Sequence, residues 1–173
     1  FMEPNKRLAE YEFVFREDGE FVTKKTSEII GGKRVIIFSL PGAFTPTCTN
    51  YQLPGFDDLY DEFKKEGIDD IFCISVNDGF VMNAWAKELG IEKVKMIPDG
   101  NADFTDYMGM LVGKYNCGFG ERSWRYAMVV DDMVVEKMFV EKGQCDDAIE
   151  DPYEETTPSK LLEYVKSKQT VSV

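Results

Sequence analysis

Residues 34–48 read RVIIFSLPGAFTPTC, and this stretch decides the fold. Val35 to Ser39 is a short, continuous apolar run rich in β-branched residues. That is the pattern of a strand buried on both faces. It stops at Pro41-Gly42. A helix is expected from Thr47, kinked or interrupted at Pro54-Gly55. A buried strand whose carboxyl end feeds a helix through a short loop is the building unit of open α/β sheets, and their sites lie at such junctions. Here the junction carries a cysteine, Cys48, in the first turn of the expected helix.

The same alternation continues on both sides. Upstream, Tyr11–Phe15 alternates as a strand, Glu17-Asp18-Gly19-Glu20 reads as a turn, and Phe21-Val22-Thr23 as the return strand. Downstream, Asp57–Lys65 is helical, with Phe56, Leu59, Tyr60 and Phe63 on one face and Gly67 closing it. Asp70–Val76 is a second buried strand. Asn77-Asp78 caps a further helix, with Phe80, Val81, Ala84, Trp85 and Leu89 on one side and Gly90 as its stop. Val94–Ile97 is a third strand, and Ala102–Met110 a short helix. Trp124–Val130 and Met133–Val140 form a hairpin about Asp131-Asp132. Gly143–Glu155 is an acidic loop. Thr157-Pro158 opens a terminal helix carrying Leu161, Leu162 and Val165. Helices between buried strands imply parallel pairing, and the late hairpin adds an antiparallel edge. The expected product is one α/β domain over residues 1–173, with a central mixed β-sheet flanked by helices.

The chain has 173 residues, enough for one domain with a real core. Its net charge of −12 argues against nucleic acid as a partner. No apolar run is long enough to span a bilayer, so no membrane role is expected. The N-terminal residues lack the apolar core of an export signal. The four cysteines, Cys48, Cys73, Cys117 and Cys145, form no C-x-x-C pair, which argues against a zinc ribbon. Reduced thiols and a cytoplasmic location follow as expectations. There is no histidine. Cys-His and Ser-His-Asp catalysis and histidine metal sites are thereby excluded. Neither a metal nor a bound cofactor is expected.

An activated cysteine in such a chain draws its help from a helix end, a cation, or hydroxyl and amide donors. Cys48 has the first of these: unpaired N–H groups and the positive end of the helix dipole favour a thiolate there. Thr45 stands three residues upstream, where its hydroxyl can cap the turn and reach a bound oxygen. Pro41 and Pro46 stiffen the loop. Arg122 and Arg125 are the candidate cations. Three apart in an extended strand they point to opposite faces, so at most one faces a given site. Gly118-x-Gly120 is no dinucleotide fingerprint, lacking a third glycine. Met108, Met110, Met128, Met133 and Met138 read as core or edge residues.

PGAFTPTC (41–48), with LPGF (53–56), CISVNDGFVMNAWAKELG (73–90), IPDG (97–100) and RSWRYAMVVDD (122–132), resembles the peroxiredoxin family. It is most similar to the peroxiredoxin-5 or type II group. The P-x-x-x-T-x-x-C core is filled by Pro41, Thr45 and Cys48. The resemblance implies a thioredoxin-like fold and a peroxidase acting on hydrogen peroxide and alkyl hydroperoxides. It makes Cys48 the peroxidatic cysteine, with Thr45 bonding the peroxide, Pro41 shielding the thiolate, and Arg125 stabilising it and polarising the O–O bond. It also implies a homodimer packed near the active-site loops, with Phe44 and Phe80 at the interface.

Two departures stand out. Gln52 occupies a position where relatives carry histidine, and Cys145 lies in an acidic loop where none is expected. Regeneration of Cys48 is open between an external reductant, glutathione with glutaredoxin, in a one-cysteine cycle, and a two-cysteine cycle. In the latter Cys73 or Cys145 resolves Cys48 and thioredoxin recycles it. Cys73, inside an apolar strand, reads as a core residue. Cys117 is a weaker candidate, in a loop before Gly118. A general thiol–disulfide oxidoreductase is disfavoured by the lack of C-x-x-C, and a non-enzymatic redox sensor or binding module remains the alternative outside catalysis.

Overall fold

The computed structural model describes residues 2–171; the side chains of Cys48, Thr49 and residues 169–171 lie outside the described residues. Its centre is a five-stranded sheet. Three strands, β3 (Arg34–Ser39), β4 (Asp70–Ser75) and β5 (Lys95–Pro98), run parallel, with β3 in the middle of the sheet. On the other side of β3 lies β8 (Tyr126–Asp131), antiparallel, and then β9 (Val134–Val140). The order is β5-β4-β3-β8-β9. This is the expected mixed sheet, in a thioredoxin-like α/β fold.

Strand period explains the two-sided core. From β3, Ile36 and Phe38 face one side, while Val35 and Ile37 face the other. Every residue of β4 is buried. The first face packs on helices α2 (Leu53–Asp58), α3 (Tyr60–Lys65), α4 (Gly79–Glu88) and α6 (Pro158–Val171), through Phe56, Phe63, Trp85 and Leu161. Phe38 and Phe56 stack at 4.2 Å between ring centroids. The second face is covered by the hairpin β1 (Glu12–Glu17) and β2 (Glu20–Lys25), by α1 (Thr26–Ile30) and by α5 (Asp103–Tyr107). Met108, Met110, Met128 and Met133 are buried here, with Met138 packed against them. Among the described residues no helix is long and apolar enough to cross a membrane.

Several expectations are corrected. Pro54 does not break its helix. Helical backbone begins at Pro46, widens into a π-type turn at Cys48–Gln52, and continues through Pro54 in the first turn of α2. Proline has no N–H to give, and a shift of the hydrogen-bond register just upstream accommodates that. The break falls at Leu59 instead. Gly55 is there for closeness: a Cβ would lie 2.9 Å from Pro158 Cγ of α6. On α4, Met82 and Trp85 are buried, whereas Phe80 is exposed and meets Phe21 and Arg16 of the N-terminal hairpin. The two-stranded pair β6 (Leu111–Gly113) and β7 (Glu121–Ser123) and the one-turn α1 are not evident in the sequence pattern. They are too short to develop a period. The β8–β9 turn is the residue pair Asp132-Met133, both with positive φ, the twist a two-residue hairpin requires.

One ion pair ties three elements. Arg34 of β3 donates to both carboxylate oxygens of Glu136 on β9, at 3.0 and 2.8 Å, and the Tyr164 hydroxyl of α6 donates to Glu136 at 2.7 Å. Burial pushes the Glu136 carboxyl up, but the hydrogen bonds from Arg34 and Tyr164 outweigh it and hold it below its ordinary 4.5. A carboxyl lowered in the folded state stabilises above its ordinary range, and that stability is lost as pH falls through the folded value. In urea unfolding, Glu136→Gln is therefore expected to cost about 1 kcal/mol at neutral pH, and the difference from the parent to vanish in acid.

Candidate active site

The site forms where β3 ends. Leu40, Pro41, Gly42 and Ala43 are all buried, so this loop is packed rather than free. Three contacts fix its backbone. The Arg122 guanidinium donates from Nη1 to the Pro41 carbonyl at 3.1 Å and from Nε to the Phe119 carbonyl at 3.2 Å. The Asn77 side chain accepts from Ala43 N–H at 3.0 Å, and it is itself held by the Ser75 hydroxyl at 2.6 Å. The Thr45 hydroxyl donates to the Gly42 carbonyl at 2.8 Å. Gly42 has no room for a side chain, since a Cβ would fall on Arg122 Nη1.

Thr45 immediately precedes the helical backbone, and Pro46 takes its first position, where a missing N–H costs nothing. Cys48 follows in the first turn. The thiol expected to do chemistry is one whose side chain lies outside the described residues; its backbone opens the wide turn that ends at Gln52.

Gln52 is fully buried and bridges the site to its far wall. Its Nε2 donates to the carbonyl and hydroxyl oxygens of Thr156, at 3.2 and 3.3 Å. Its Oε1 accepts from Arg125 Nη1 at 2.6 Å. Arg125 is only 1% exposed, and its Nη2 meets Asp151 Oδ2 at 2.6 Å. A guanidinium so buried needs a counter-charge, and Asp151 supplies one. The Tyr153 ring lies 5.7 Å from the Arg125 carbon.

Arg122 and Arg125 therefore both reach the segment from Pro41 to Gln52, against the expectation that at most one does. The strand argument fails because β7 ends at Ser123 and β8 starts at Tyr126, so no continuous extended strand relates the two residues. Partial burial pulls the Arg122 guanidinium down from its ordinary value, yet an arginine stays charged at any working pH. The site is thus flanked by two cations, one on the loop and one beyond the turn.

Cys73 is fully buried in β4, opposite Phe38 in register and within the core beneath α2. Cys117 and Cys145 are exposed and outside any disulfide. The stretch around Cys145 is pinned: Gln144 donates to the Gly109 carbonyl, and Asp146 accepts from Gly113 N–H. Asn77 and Asp151 were not evident as site residues from sequence. Asn77 reads there as part of a helix cap, a role Asp78 fills by accepting from Val81 N–H.

A thioredoxin-like sheet with a threonine-bearing, arginine-flanked loop and a cysteine at the first helical turn defines a thiol-based oxidoreductase class. The sequence profile of the Redoxin family matches residues 12–152. The chain is 57% identical over 147 residues to peroxiredoxin y4vD of Sinorhizobium fredii, covering 85% of this chain and 78% of that one. Among solved structures it resembles the Plasmodium falciparum antioxidant protein, a 1-Cys peroxiredoxin, with a TM-score of 0.92 and 37% identity over 96% of this chain and 99% of the other. It also resembles reduced Prx3 of Vibrio vulnificus in complex with hydrogen peroxide, with a TM-score of 0.87 and 33% identity over 95% and 99% of the two chains. The chain belongs to the peroxiredoxins, a family of oxidoreductases acting on peroxides.

Proposed function

We propose that this chain is a thiol peroxidase of the type II kind. It reduces hydrogen peroxide and small alkyl hydroperoxides through Cys48, within a single domain and a cytoplasmic setting. The observation that carries the reading is the fixed loop Pro41–Thr45 on one side of the Cys48 turn and the buried Arg125–Gln52 pair on the other. The Cys48 thiolate attacks one peroxide oxygen. The O–O bond breaks, the attacked oxygen stays on sulfur with its hydrogen as a sulfenic acid, and the departing alkoxide or hydroxide takes a proton from solvent. Charge develops on both oxygens, so preorganised donors matter more than a base. Arg125 and the first-turn N–H groups are those donors. Because the Thr45 hydrogen is directed at Gly42, its oxygen lone pairs accept from the peroxide O–H and orient it. Pro41, buried, shields the thiolate.

Regeneration follows a one-cysteine route. A thiol such as glutathione attacks the sulfenic sulfur, water leaves, and a second thiol, delivered by glutaredoxin, releases Cys48 from the mixed disulfide. Burial of Cys73 supports this, since its thiol is sealed in the core. The resemblance to a 1-Cys peroxiredoxin agrees. A two-cysteine cycle recycled by thioredoxin has one observation in its favour: exposed Cys145 shares its loop with Asp151, which touches Arg125. Exposed Phe44 beside the site, with Phe80 and Phe21, suits packing against a second copy in a homodimer.

Mass spectrometry after one equivalent of peroxide separates the routes. A sulfenic acid on Cys48 that becomes a glutathione adduct is the expected outcome. Rapid appearance of a Cys48–Cys145 or Cys48–Cys73 disulfide instead would establish the two-cysteine cycle.

A further inference from the structure

The loop between β9 and α6 is acidic, and nothing in its composition suggests order. Its last residues are nevertheless fixed by one buried carboxylate. Glu141 is 2% exposed and accepts from Glu154 N–H at 3.0 Å, Glu155 N–H at 2.9 Å, Thr156 N–H at 2.9 Å and the Thr156 hydroxyl at 2.7 Å. A buried carboxylate with that many donors is satisfied without a cation. The clamp places Thr156 against Gln52 and, a few residues earlier, Asp151 against Arg125.

We propose that Asp151 is a positioning residue for Arg125 that also tempers its charge, so that the acidic loop sets how readily Cys48 ionises. This rests on the reading of Cys48 and Arg125 given above. The guanidinium is gripped by Gln52 at Nη1, by Asp151 at Nη2 and by the Tyr153 ring. Of the other charged groups nearby, Glu141 is turned to the Thr156 donors and Arg122 to the Pro41 carbonyl. Among the described residues Asp151 is the anion paired with Arg125, and on the reading above it shares that cation with the Cys48 thiolate. An ordinary surface ion pair is worth little because both partners are hydrated. Here the Asp151 side chain is 40% exposed but Arg125 only 1%, so the carboxylate serves as counter-ion to a buried charge.

The grip and the charge are separable. Asp151→Asn keeps an oxygen for Nη2 and loses the negative charge. A like charge nearby opposes ionisation of a thiol, so its removal favours the thiolate. The midpoint of the pH profile for peroxide reaction is expected to move down by about one unit. Asp151→Ala removes the grip as well, and the rate at the pH optimum is expected to fall roughly tenfold as Arg125 loses its alignment. Asp151→Glu is expected to restore most of that rate. Rates are read by stopped flow with hydrogen peroxide, and thiolate by ultraviolet absorbance relative to Cys48→Ser. If Asp151→Asn and Asp151→Ala keep the parent midpoint and rate, whatever they do to thermal stability, Asp151 has no part in the reaction. A Cys48→Ser protein that still reacts overturns the reading of Cys48, and this proposal with it; a dead Cys48→Ser protein with unmoved Asp151 variants overturns the Asp151 proposal alone.

Discussion

Replacing Cys48 by serine is expected to abolish peroxide turnover while the protein stays folded. A serine hydroxyl at this turn remains un-ionised at neutral pH, and oxygen cannot store the oxidising equivalent as a sulfenic acid. Cys73→Ser, Cys117→Ser and Cys145→Ser should each leave most glutathione-driven activity, because none of the three supplies the attacking atom. The contrast is measured as NADPH consumption in a glutathione, glutaredoxin and peroxide assay. Full activity in the Cys48→Ser protein would sink the assignment.

The second large effect belongs to Arg125. Its fork spans Gln52, which ends the turn that Cys48 opens, and Asp151 of the acidic loop. Arg125→Ala is expected to lower kcat/KM for peroxide by about 10²–10³-fold, the usual consequence of losing a preorganised donor to a developing oxyanion. It also strands Asp151 and Gln52, so unfolding should become easier by several kcal/mol at most. Arg125→Lys is the informative partner. It keeps the charge but cannot bridge two acceptors in a plane, and so should recover only part of the rate. A lysine variant as fast as the parent would show that charge alone suffices and that the fork geometry is dispensable.

The strand–loop–helix core was legible in the sequence because its signals are local. A five-residue apolar run, a proline at the first helical position and an aspartate cap each act within a turn of the chain. The unbroken apolar run from Val35 foretold the two packed faces. Legibility failed where the deciding partner is distant. Asn77 looked like half of a cap, and only its approach to Ala43 N–H makes it a support of the loop. The reach of both arginines depended on where two strands stop, a boundary that apolar patterning across Ser123–Tyr126 does not mark. The acidic stretch 143–155 carried no periodicity at all, since its order derives from partners distant in sequence: Gly109, Gly113, Arg125 and the Glu141 carboxylate. Gln52 was noticed as a substitution, but its two-sided bridging required the fold.

The amide of Gln52 has a further consequence for anyone titrating this enzyme. An imidazole at the same place would exchange a proton near neutrality and alter the field on its arginine partner as it did so. A carboxamide holds no exchangeable charge. With no histidine in the chain, no imidazole signal overlies the thiols, and subtracting the Cys48→Ser protein, which keeps the exposed Cys117 and Cys145, isolates the acidity of Cys48.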